Sequence, residues 1–540
     1  MKKTLSMVLA LLLALTALPA LAGSENFNPD GEYPLFKEKV NLTIGVPLSA
    51  HVEDFNTNWM TTYVEELANA DITFEVYTSE MNTQLTMAIT GGSDLPDILF
   101  TSSVSIELMD QWASAGALVP LGEYYEKYGY YVNDAKERTG VDFLQLVTSP
   151  DGEIYTLPGY NQSLTNECPD RIWIYRPWLE ALGLEEPTNA EELYTVLKAF
   201  KEQDPNGNGQ ADEIPMISIH GKNKSWWRAL MNMFQYTPAN DWTLQDGKVI
   251  YAASTEAYRE GLKYIRKLFD EGLIDPMSFT IDREQVQALA SGETCLVGMN
   301  MFADAPAPYH SERALEYTLL SPFKNAEGKM QTTYSPSQPM VSALITTSCE
   351  DPEAAFRFCD LLYRRDMSII NHWGEEGVHW EWAQEGDKSN YDYLGYKASF
   401  RELESLWGTV QNVMWAQSGP WVREFAIAAG RVESNGYDVA AENELTKGYR
   451  LADYIASYPA EGEYVPTLVF TEAESDQISM ILSDLTSYID TARTNFMMNN
   501  EGMDINSDES WNAYLAQLDA IGMQTALPIL QAAYDRMYVK

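Results

Sequence analysis

Hydrophobic and polar positions over the first hundred residues alternate between two periods. Residues 40–46, 72–77 and 97–100 are short apolar or alternating runs, which is the pattern of strands. Residues 59–67 and 84–90 lie between them and follow the helical period. Strands that alternate with helices predict βαβ units and a largely parallel sheet, so we expect an α/β fold.

Helical periodicity returns in two later segments. Thr188 and Glu191 have the spacing of a capping box and predict that a helix begins there. Helical periodicity also dominates the last 70 residues, which predicts additional C-terminal helices. The predicted buried faces are Leu193, Val196, Leu197 and Phe200 in the first segment, and Ile478, Ile481, Leu482, Leu485 and Ile489 in the last.

The amino terminus has the pattern of an export signal. Two lysines precede an apolar stretch from Leu5 to Leu18, and an A-x-A cleavage site follows at Ala20–Ala22. We therefore predict that residues 1–22 are a signal peptide, with an uncleaved signal anchor as the alternative. The polar, Pro- and Gly-bearing residues that follow predict a flexible leader over 23–42. Export predicts a secreted or extracellular, cell-surface-associated protein.

The residue after the predicted cleavage region bears on how the protein is held at the cell. Leu21-Ala22-Gly23-Ser24 resembles a lipoprotein signal in which serine occupies the position of the lipidated cysteine. A hydroxyl group cannot replace the thioether linkage. The sequence therefore does not support a lipid anchor.

Size and charge limit the classes of function. A chain of 540 residues predicts two or more domains. Its formal net charge of −43 repels nucleic acid and anionic membranes, while it is compatible with divalent cations. We expect no nucleic-acid partner.

One loop carries closely spaced oxygen donors. Calcium takes six to eight oxygen ligands, and alternate positions of a tight loop can supply them. The first nine positions match an EF-hand loop, but the twelfth is Pro215, so we expect Glu213 to close the shell. The alternative is an ordinary turn rich in Asp and Asn. The predicted ligands of this structural calcium site are Asp204, Asn206, Asn208, Gln210 (through its carbonyl oxygen), Asp212 and Glu213.

Catalytic signatures are missing from the sequence. It contains no H-E-x-x-H, P-loop, G-x-S-x-G or C-x-x-C motif, and its five histidines have no ligand spacing. The four cysteines match no zinc or redox pattern, and we expect buried free thiols. We therefore predict that the protein is not an enzyme. The cysteines are Cys168, Cys295, Cys349 and Cys359.

Several stretches resemble landmarks of bacterial extracellular solute-binding proteins. Asp151–Pro158 resembles the family's D-G-x-I-Y-x-L-P segment, and Tyr175–Leu184 resembles its R-x-x-W-L-x-x-L-G-L signature. Asp270–Pro276 and Ala343–Cys359 follow in the family's order. The resemblance covers nearly the whole exported chain. It extends to the large oligosaccharide-binding group, which is similar to alginate-oligosaccharide-binding proteins and carries a calcium loop resembling Asp204–Glu213.

The resemblance implies a two-lobed, periplasmic-binding-protein-like fold of type II that closes on its ligand. The first lobe would comprise residues 43–158 and 338–372, and the second 159–337 and 373–540, with hinges near Pro158 and Trp373. The implied function is capture of an oligosaccharide in the cleft and its delivery to the membrane permease of an ABC importer. We expect a monomer.

Aromatic residues suggest how a sugar is held, because indole rings pack well against the apolar faces of sugar rings. Several of the 14 tryptophans stand among polar residues, although each one could equally be a core residue. The same fold could bind a peptide or another solute. A secreted carbohydrate-active enzyme with paired carboxylates and a surface interaction protein are further alternatives. The predicted ligand-binding residues are Trp226, Trp227, Trp373, Trp380 and Arg176.

Overall fold

The computed structural model describes most of the chain. It covers residues 26–78, 80–101, 104–219, 226–308, 311–406, 409–432, 439–460 and 462–539. The predicted signal peptide (1–22) and Ser24 lie outside these residues. Within the described residues, no helix is long and apolar enough to cross a membrane.

Strands and helices alternate through the first half of the chain, and helices dominate its end. The strands are β1 (Val40–Pro47), β2 (Ala70–Tyr77), β3 (Ile98–Phe100), β4 (Thr156–Asn161), β5 (Ile172–Tyr175), β6 (Trp242–Gln245), β7 (Lys248–Tyr251), β8 (Met299–Met301), β9 (Tyr317–Leu320), β10 (Met340–Ile345), β11 (Trp380–Trp382), β12 (Phe400–Glu402), β13 (Val422–Arg423) and β14 (Arg431–Val432).

The helices are α1 (Trp59–Ala68), α2 (Met81–Gly91), α3 (Ile106–Ser114), α4 (Gly122–Tyr128), α5 (Tyr130–Thr139), α6 (Leu164–Glu167), α7 (Arg176–Leu182), α8 (Ala190–Glu202), α9 (Trp227–Met231), α10 (Glu256–Asp270), α11 (Arg283–Ser291), α12 (Glu312–Leu315), α13 (Pro352–Leu361), α14 (Arg365–Trp373), α15 (Phe425–Ala428), α16 (Val439–Thr446), α17 (Leu451–Ala456), α18 (Glu472–Met498), α19 (Asp508–Ile521) and α20 (Met523–Tyr538).

The first lobe is built on a six-stranded sheet in the order β13-β4-β10-β3-β1-β2. Strand β1 pairs in parallel with β2 and β3, which confirms the predicted βαβ start of the chain. Strand β10 is antiparallel to its neighbours β3 and β4, and β13 is parallel to β4. The inward-facing positions of β1, such as Ile44, are fully buried because helices cover the sheet.

The segment expected to be a flexible leader packs against this lobe instead. Phe27 and Phe36 are buried in the first core, and their backbones form an isolated bridge. The N–H groups of Leu35 and Phe36 donate to the carbonyl groups at the end of α1, at 3.1 and 2.9 Å. The two phenylalanines bury apolar area against the lobe and so order the polar residues between them.

The second lobe has a three-stranded antiparallel sheet in the order β8-β5-β9, surrounded by helices that include α8, α10 and the C-terminal helices. Helix α8 begins one residue later than the capping pattern suggested. The side chain of Asn189 accepts the N–H groups of Glu191 and Glu192, while Thr188 bonds to the Glu192 carboxylate. The predicted face of α8 is confirmed, since all four of its apolar residues are buried.

The C-terminal stripe and the thiols also match expectation. On α18, Ile478, Leu485 and Ile489 are buried in the second core, and the remaining two residues of the stripe pack partly buried against it. All four cysteines are free and buried.

The second segment of the first lobe extends beyond its predicted end at residue 372. Trp373, Trp380, Phe400 and Trp415 lie in the first hydrophobic core, and β13 joins the first sheet. Much of the segment from 373 to 423 therefore packs with the first lobe, whereas the predicted boundary assigned it to the second. Within it, residues 391–396 pack instead against a cluster that includes Leu319 of the second lobe. The long-range pairing of β13 with β4 decides this placement.

Three connections leave the first sheet at one edge. Strand β4 ends at Asn161 before the chain enters the second lobe, β10 begins at Met340 on its return, and β13 ends at Arg423 before the last passage. These strands are neighbours, with Met340 paired to Gly159 and Arg423 paired to Asn161. We call this the crossover edge. The predicted hinge residue Pro158 lies within β4, three residues before this edge.

Candidate functional site

The crossover edge carries two polar side-chain atoms that have no hydrogen-bond partner. Both Oδ1 of Asn161 and Nε of Arg423 are shielded from solvent and unpaired. Paired residues of neighbouring strands project to the same face of a sheet, so the two side chains emerge together. Buried polar groups are nearly always hydrogen-bonded, which makes such a pair of atoms a candidate contact for a ligand.

The Arg423 guanidinium is held by aromatic rings. Its central carbon lies 5.0 Å from the ring centre of Trp373 and 5.2 Å from that of Trp421. One of its terminal nitrogens lies 3.4 Å from Nδ1 of His372. Among the described residues no carboxylate forms an ion pair with Arg423.

The electrostatics of this cluster follow from burial next to like charges. Burial lowers the pKa of Arg423 to about 10, and nearby Arg431 adds to the lowering. Burial also lowers the pKa of His372 well below its usual value, and both arginines add to this effect. His372 is therefore neutral near pH 7 and can accept a hydrogen bond from Arg423.

Another arginine with an unpaired nitrogen is Arg171, which lies directly before β5 in the second lobe. Its guanidinium donates to the carbonyl of Ala303 and lies 3.6 Å from the carboxylate of Asp304, but its Nε has no partner. Each lobe thus contains a largely buried arginine with an unpaired Nε–H.

Two of the predicted ligand tryptophans belong to the second core. Trp226 packs edge-on against Phe279, and the Trp227 ring lies 3.9 Å from the guanidinium of Arg493. Both indoles are 3% exposed. Their polar sequence neighbours suggested a binding site, but burial of the large apolar indole in the core decides their position.

The other two predicted tryptophans lie in the first core. Trp380 is fully buried and donates its indole N–H to the carbonyl of Gly374 at 2.7 Å. Trp373 is 5% exposed, packs against Phe400 and contacts Arg423. Of the four tryptophans, only Trp373 reaches the crossover edge, and it does so behind Arg423.

Arg176 directly follows β5 and begins α7. Its guanidinium donates to the carbonyl groups of Leu445 and Leu315, at 2.7 and 3.4 Å, and lies 3.5 Å from Glu180. These contacts are all within the second lobe and give Arg176 a packing role there.

The predicted cation loop is a compact turn with inward-facing oxygens. The Asp204 carboxylate accepts the N–H groups of Asn208 and Gly209 at 3.2 and 3.0 Å. The Asp212 carboxylate accepts from the side-chain amides of Asn206 and Asn208. Asp204 and Gly209 adopt positive φ angles of 47° and 75°, which close the turn.

Glu213 extends this loop with an unsatisfied oxygen. Its Oε1 is buried without a hydrogen-bond partner. Burial raises the pKa of Glu213, and the negative charges of Asp204 and Asp212 raise it further. A bound cation would satisfy this oxygen and offset the repulsion, so the donor set fits a hard divalent ion.

Carboxylates alone do not complete such a site. No group of three or more His, Cys, Asp and Glu side chains is positioned to hold a metal ion in the part of the chain that the structure describes. The loop would also need the amide oxygens of Asn206 and Asn208 and the carbonyl oxygen of Gln210.

Sequence reasoning missed Asn161 and Arg423. Neither residue lies in a motif, and their proximity depends on the pairing of two strands that are far apart in the sequence. A local signal was present only at Asn161, which follows the D-G-x-I-Y-x-L-P segment by three residues.

The chain is similar in sequence to known proteins of comparable length. FusA of Streptococcus pneumoniae, a fructooligosaccharide ABC transporter substrate-binding protein, is 27% identical over 99% of this chain and 98% of its own. YtcQ of Bacillus subtilis, a polygalacturonan/rhamnogalacturonan-binding protein, is 22% identical over 59% of this chain and 62% of its own.

Solved structures share the fold. The structure of FusA in complex with kestose superposes with a TM-score of 0.72 at 24% identity, over 92% of this chain and 99% of that one. An HMO-binding, ABC-transporter-associated solute-binding protein from Bifidobacterium longum infantis superposes with a TM-score of 0.73 at 20% identity, over 92% of this chain and 99% of that one. Both likenesses support the two-lobed architecture.

The family match covers both lobes. The model of the family described as bacterial extracellular solute-binding protein matches residues 46–367. This range includes β4, β5 and β10, and with them two of the three crossovers between the lobes. The chain belongs to the bacterial extracellular solute-binding protein family.

Proposed function

We propose that this protein captures an oligosaccharide between its two lobes and presents it to the permease of an ABC importer. The observation that carries the proposal is the crossover edge, where the polar atoms of Asn161 and Arg423 are unpaired at the point where the chain passes between the lobes of a solute-binding fold. The sugar cargo named for FusA, a relative along the whole chain, supports the choice of ligand class.

Capture requires no chemistry in this proposal. The ligand binds the open form, and its contacts with both lobes favour the closed form, which the permease recognises. Among the predicted tryptophans, Trp373 is retained as a residue that positions Arg423 from behind. Trp226, Trp227 and Trp380 would act only through the stability of the cores, and Arg176 through packing of the second lobe.

We also propose that the loop from Asp204 to Glu213 binds Ca²⁺. The ligands would be the side-chain oxygens of Asp204, Asn206, Asn208, Asp212 and Glu213 with the carbonyl oxygen of Gln210. The unpaired buried oxygen of Glu213 supports this proposal. One structure of FusA is described as that of an EF-hand mutant. The ion would act structurally, by offsetting the repulsion among the carboxylates of Asp204, Asp212 and Glu213.

For localisation, we propose export by the signal peptide at residues 1–22 and release without a lipid anchor, since Ser24 cannot form the thioether. The extracellular character of the family supports export. Mass spectrometry of the exported protein from its host would test both points, because lipidation adds the mass of its acyl chains.

A thermal-shift screen of the exported chain against a panel of oligosaccharides tests the cargo. A ligand at about 100 times its Kd stabilises a protein by about 2.7 kcal/mol, so a binding sugar raises the melting temperature. Recovery of the intact sugar after incubation would separate capture from hydrolysis. No shift with any sugar but a shift with peptides would contradict the proposed cargo.

A further inference from the structure

Two side chains at the crossover edge share one face of the first sheet. Strands β4 and β13 run parallel, with Val422 opposite Tyr160 and Arg423 opposite Asn161. Neighbouring strands lie about 4.8 Å apart, so the Asn161 amide and the stem of Arg423 are adjacent. Beyond each of these residues the chain leaves for the second lobe, so the pair lies where the chain passes between the lobes.

Gln162, which follows Asn161 in the chain, has both of its side-chain polar atoms hydrogen-bonded. Gln162 points to the other face, where its Nε2 donates to the carbonyl of Thr139 at 3.0 Å and its Oε1 accepts the N–H of Phe425 at 3.1 Å. The fold therefore satisfies the polar side chain that it buries at this position. Its neighbours Asn161 and Arg423 retain an unpaired acceptor and an unpaired donor. Such atoms cost free energy unless a ligand or water pairs with them.

The pair is held in a fixed frame. Trp373 and Trp421 fix the Arg423 guanidinium, and Gly159 lets the Trp421 ring approach β4. A Cβ atom at Gly159 would lie 3.3 Å from Nε1 of Trp421 and 2.6 Å from Oγ of Ser342. Ordering of these groups before binding lowers the entropy cost of capture.

We propose that Asn161 and Arg423 form the first-lobe half of a subsite for a neutral, hydroxyl-bearing sugar ring. A hydroxyl oxygen accepts the Nε–H of Arg423, and the same or an adjacent hydroxyl group donates to Oδ1 of Asn161. This inference rests on the proposed function and adds the residues and the class of sugar that they bind.

The chemistry of the two atoms favours a hydroxyl group over a carboxylate. A hydroxyl group both donates and accepts, and it can satisfy both residues. An ionised carboxylate only accepts, so it would pair with Arg423 but would face the Asn161 oxygen with like partial charge. Arg431, the second cation beside Arg423, is already paired with Glu402 at 2.9 Å.

Substitution of Asn161 gives the sharpest test, because its side chain has no hydrogen bond to lose. Asn161→Leu should keep or raise the melting temperature while weakening binding of neutral sugars about five- to tenfold. Arg423→Met should weaken binding about 10- to 100-fold, since it removes a charged donor. Isothermal titration calorimetry with a panel of neutral oligosaccharides that includes kestose, and with trigalacturonate as the acidic probe, measures both effects.

Exposed residues outside the site provide matched controls. Asn512→Leu on α19 and Arg536→Met on α20 should bind as the unmodified protein does. Unchanged neutral-sugar affinity in Asn161→Leu would overturn the proposal, and so would binding of trigalacturonate alone. If the unmodified protein binds no sugar at all, the proposed function itself fails. If the unmodified protein binds neutral sugars and both variants bind them with the same affinity, the proposed subsite is wrong but the proposed function stands.

Discussion

At the residue scale, guanidinium groups cover several of the tryptophan rings. Arg423 lies against Trp373 and Trp421, and Arg493 lies over Trp227. A ring face that contacts a guanidinium is not open to a sugar ring, and the cation–π contact fixes the arginine in return. The number of tryptophans is therefore a poor guide to sugar binding, because the covered rings are not available to a ligand. The unpaired nitrogens of the arginines are better candidates for ligand contacts.

Trp373→Ala should consequently damage folding. The indole is buried in the first core, and removal of a buried tryptophan costs about 3–5 kcal/mol. The free energy of unfolding in urea, measured by far-UV circular dichroism, checks this. The half-exposed Trp382 is the control, and Trp382→Ala should cost less than about 1 kcal/mol. Equal stability of the two variants would show that Trp373 is not a core residue.

At the scale of elements, the cation loop joins a helix to a sheet. It follows the end of α8, and directly after it the N–H of Ile214 donates to the carbonyl of Leu296 at 2.8 Å, just before β8. Closure of the loop thus fixes how α8 packs on the second sheet. An ion that binds the folded loop and not the unfolded chain stabilises this whole unit.

We expect calcium to raise the melting temperature of the unmodified protein and to have no effect on Asp212→Ala. At 1,000 times its Kd the ion would contribute about 4.1 kcal/mol, which the variant loses. Differential scanning fluorimetry in millimolar calcium and in EGTA measures the difference. Asp519→Asn, which changes an exposed carboxylate on α19, should keep the full calcium effect. The same shift in Asp212→Ala would place the ion elsewhere.

At the scale of the whole molecule, all three connections between the lobes start from neighbouring strands. A closing motion is then confined to a narrow edge of the first sheet, as in hinge closure around a ligand. The third connection is anchored by Glu424, which is 3% exposed and accepts from Arg138 at 2.5 Å and from Arg365 at 2.8 Å. This buried carboxylate fixes the end of β13 to α5 and α14.

Glu424→Gln should therefore destabilise the first lobe by about 1–3 kcal/mol, because a neutral amide replaces a buried carboxylate that accepts from two guanidinium groups. Differential scanning calorimetry would resolve the transition of that lobe. Glu474→Gln removes the partner of the exposed Arg536 and should cost less than about 1 kcal/mol. A small effect at both positions would mean that the anchor is unimportant to the lobe.

Local patterns predicted local structure well. The alternation over residues 40–100 yields the parallel strands β1, β2 and β3, and the apolar stripes of α8 and α18 face a core. The predicted start of a helix can be wrong by one residue, as at Asn189, because two adjacent residues can each cap the helix. The boundary near Trp373 was misplaced because no local pattern indicates which lobe a returning segment joins.

The sequence by itself determined the strand and helix periods, much of both cores and the family of the chain, because these depend on residues close together or on the order of motifs along the chain. Only the tertiary structure decided that β13 lies beside β4 and that Asn161 and Arg423 meet unpaired at the crossover edge. The physical reason is that hydrogen-bond satisfaction is a property of three-dimensional neighbours. The same side chain is buried scaffold or ligand contact according to what the fold places beside it.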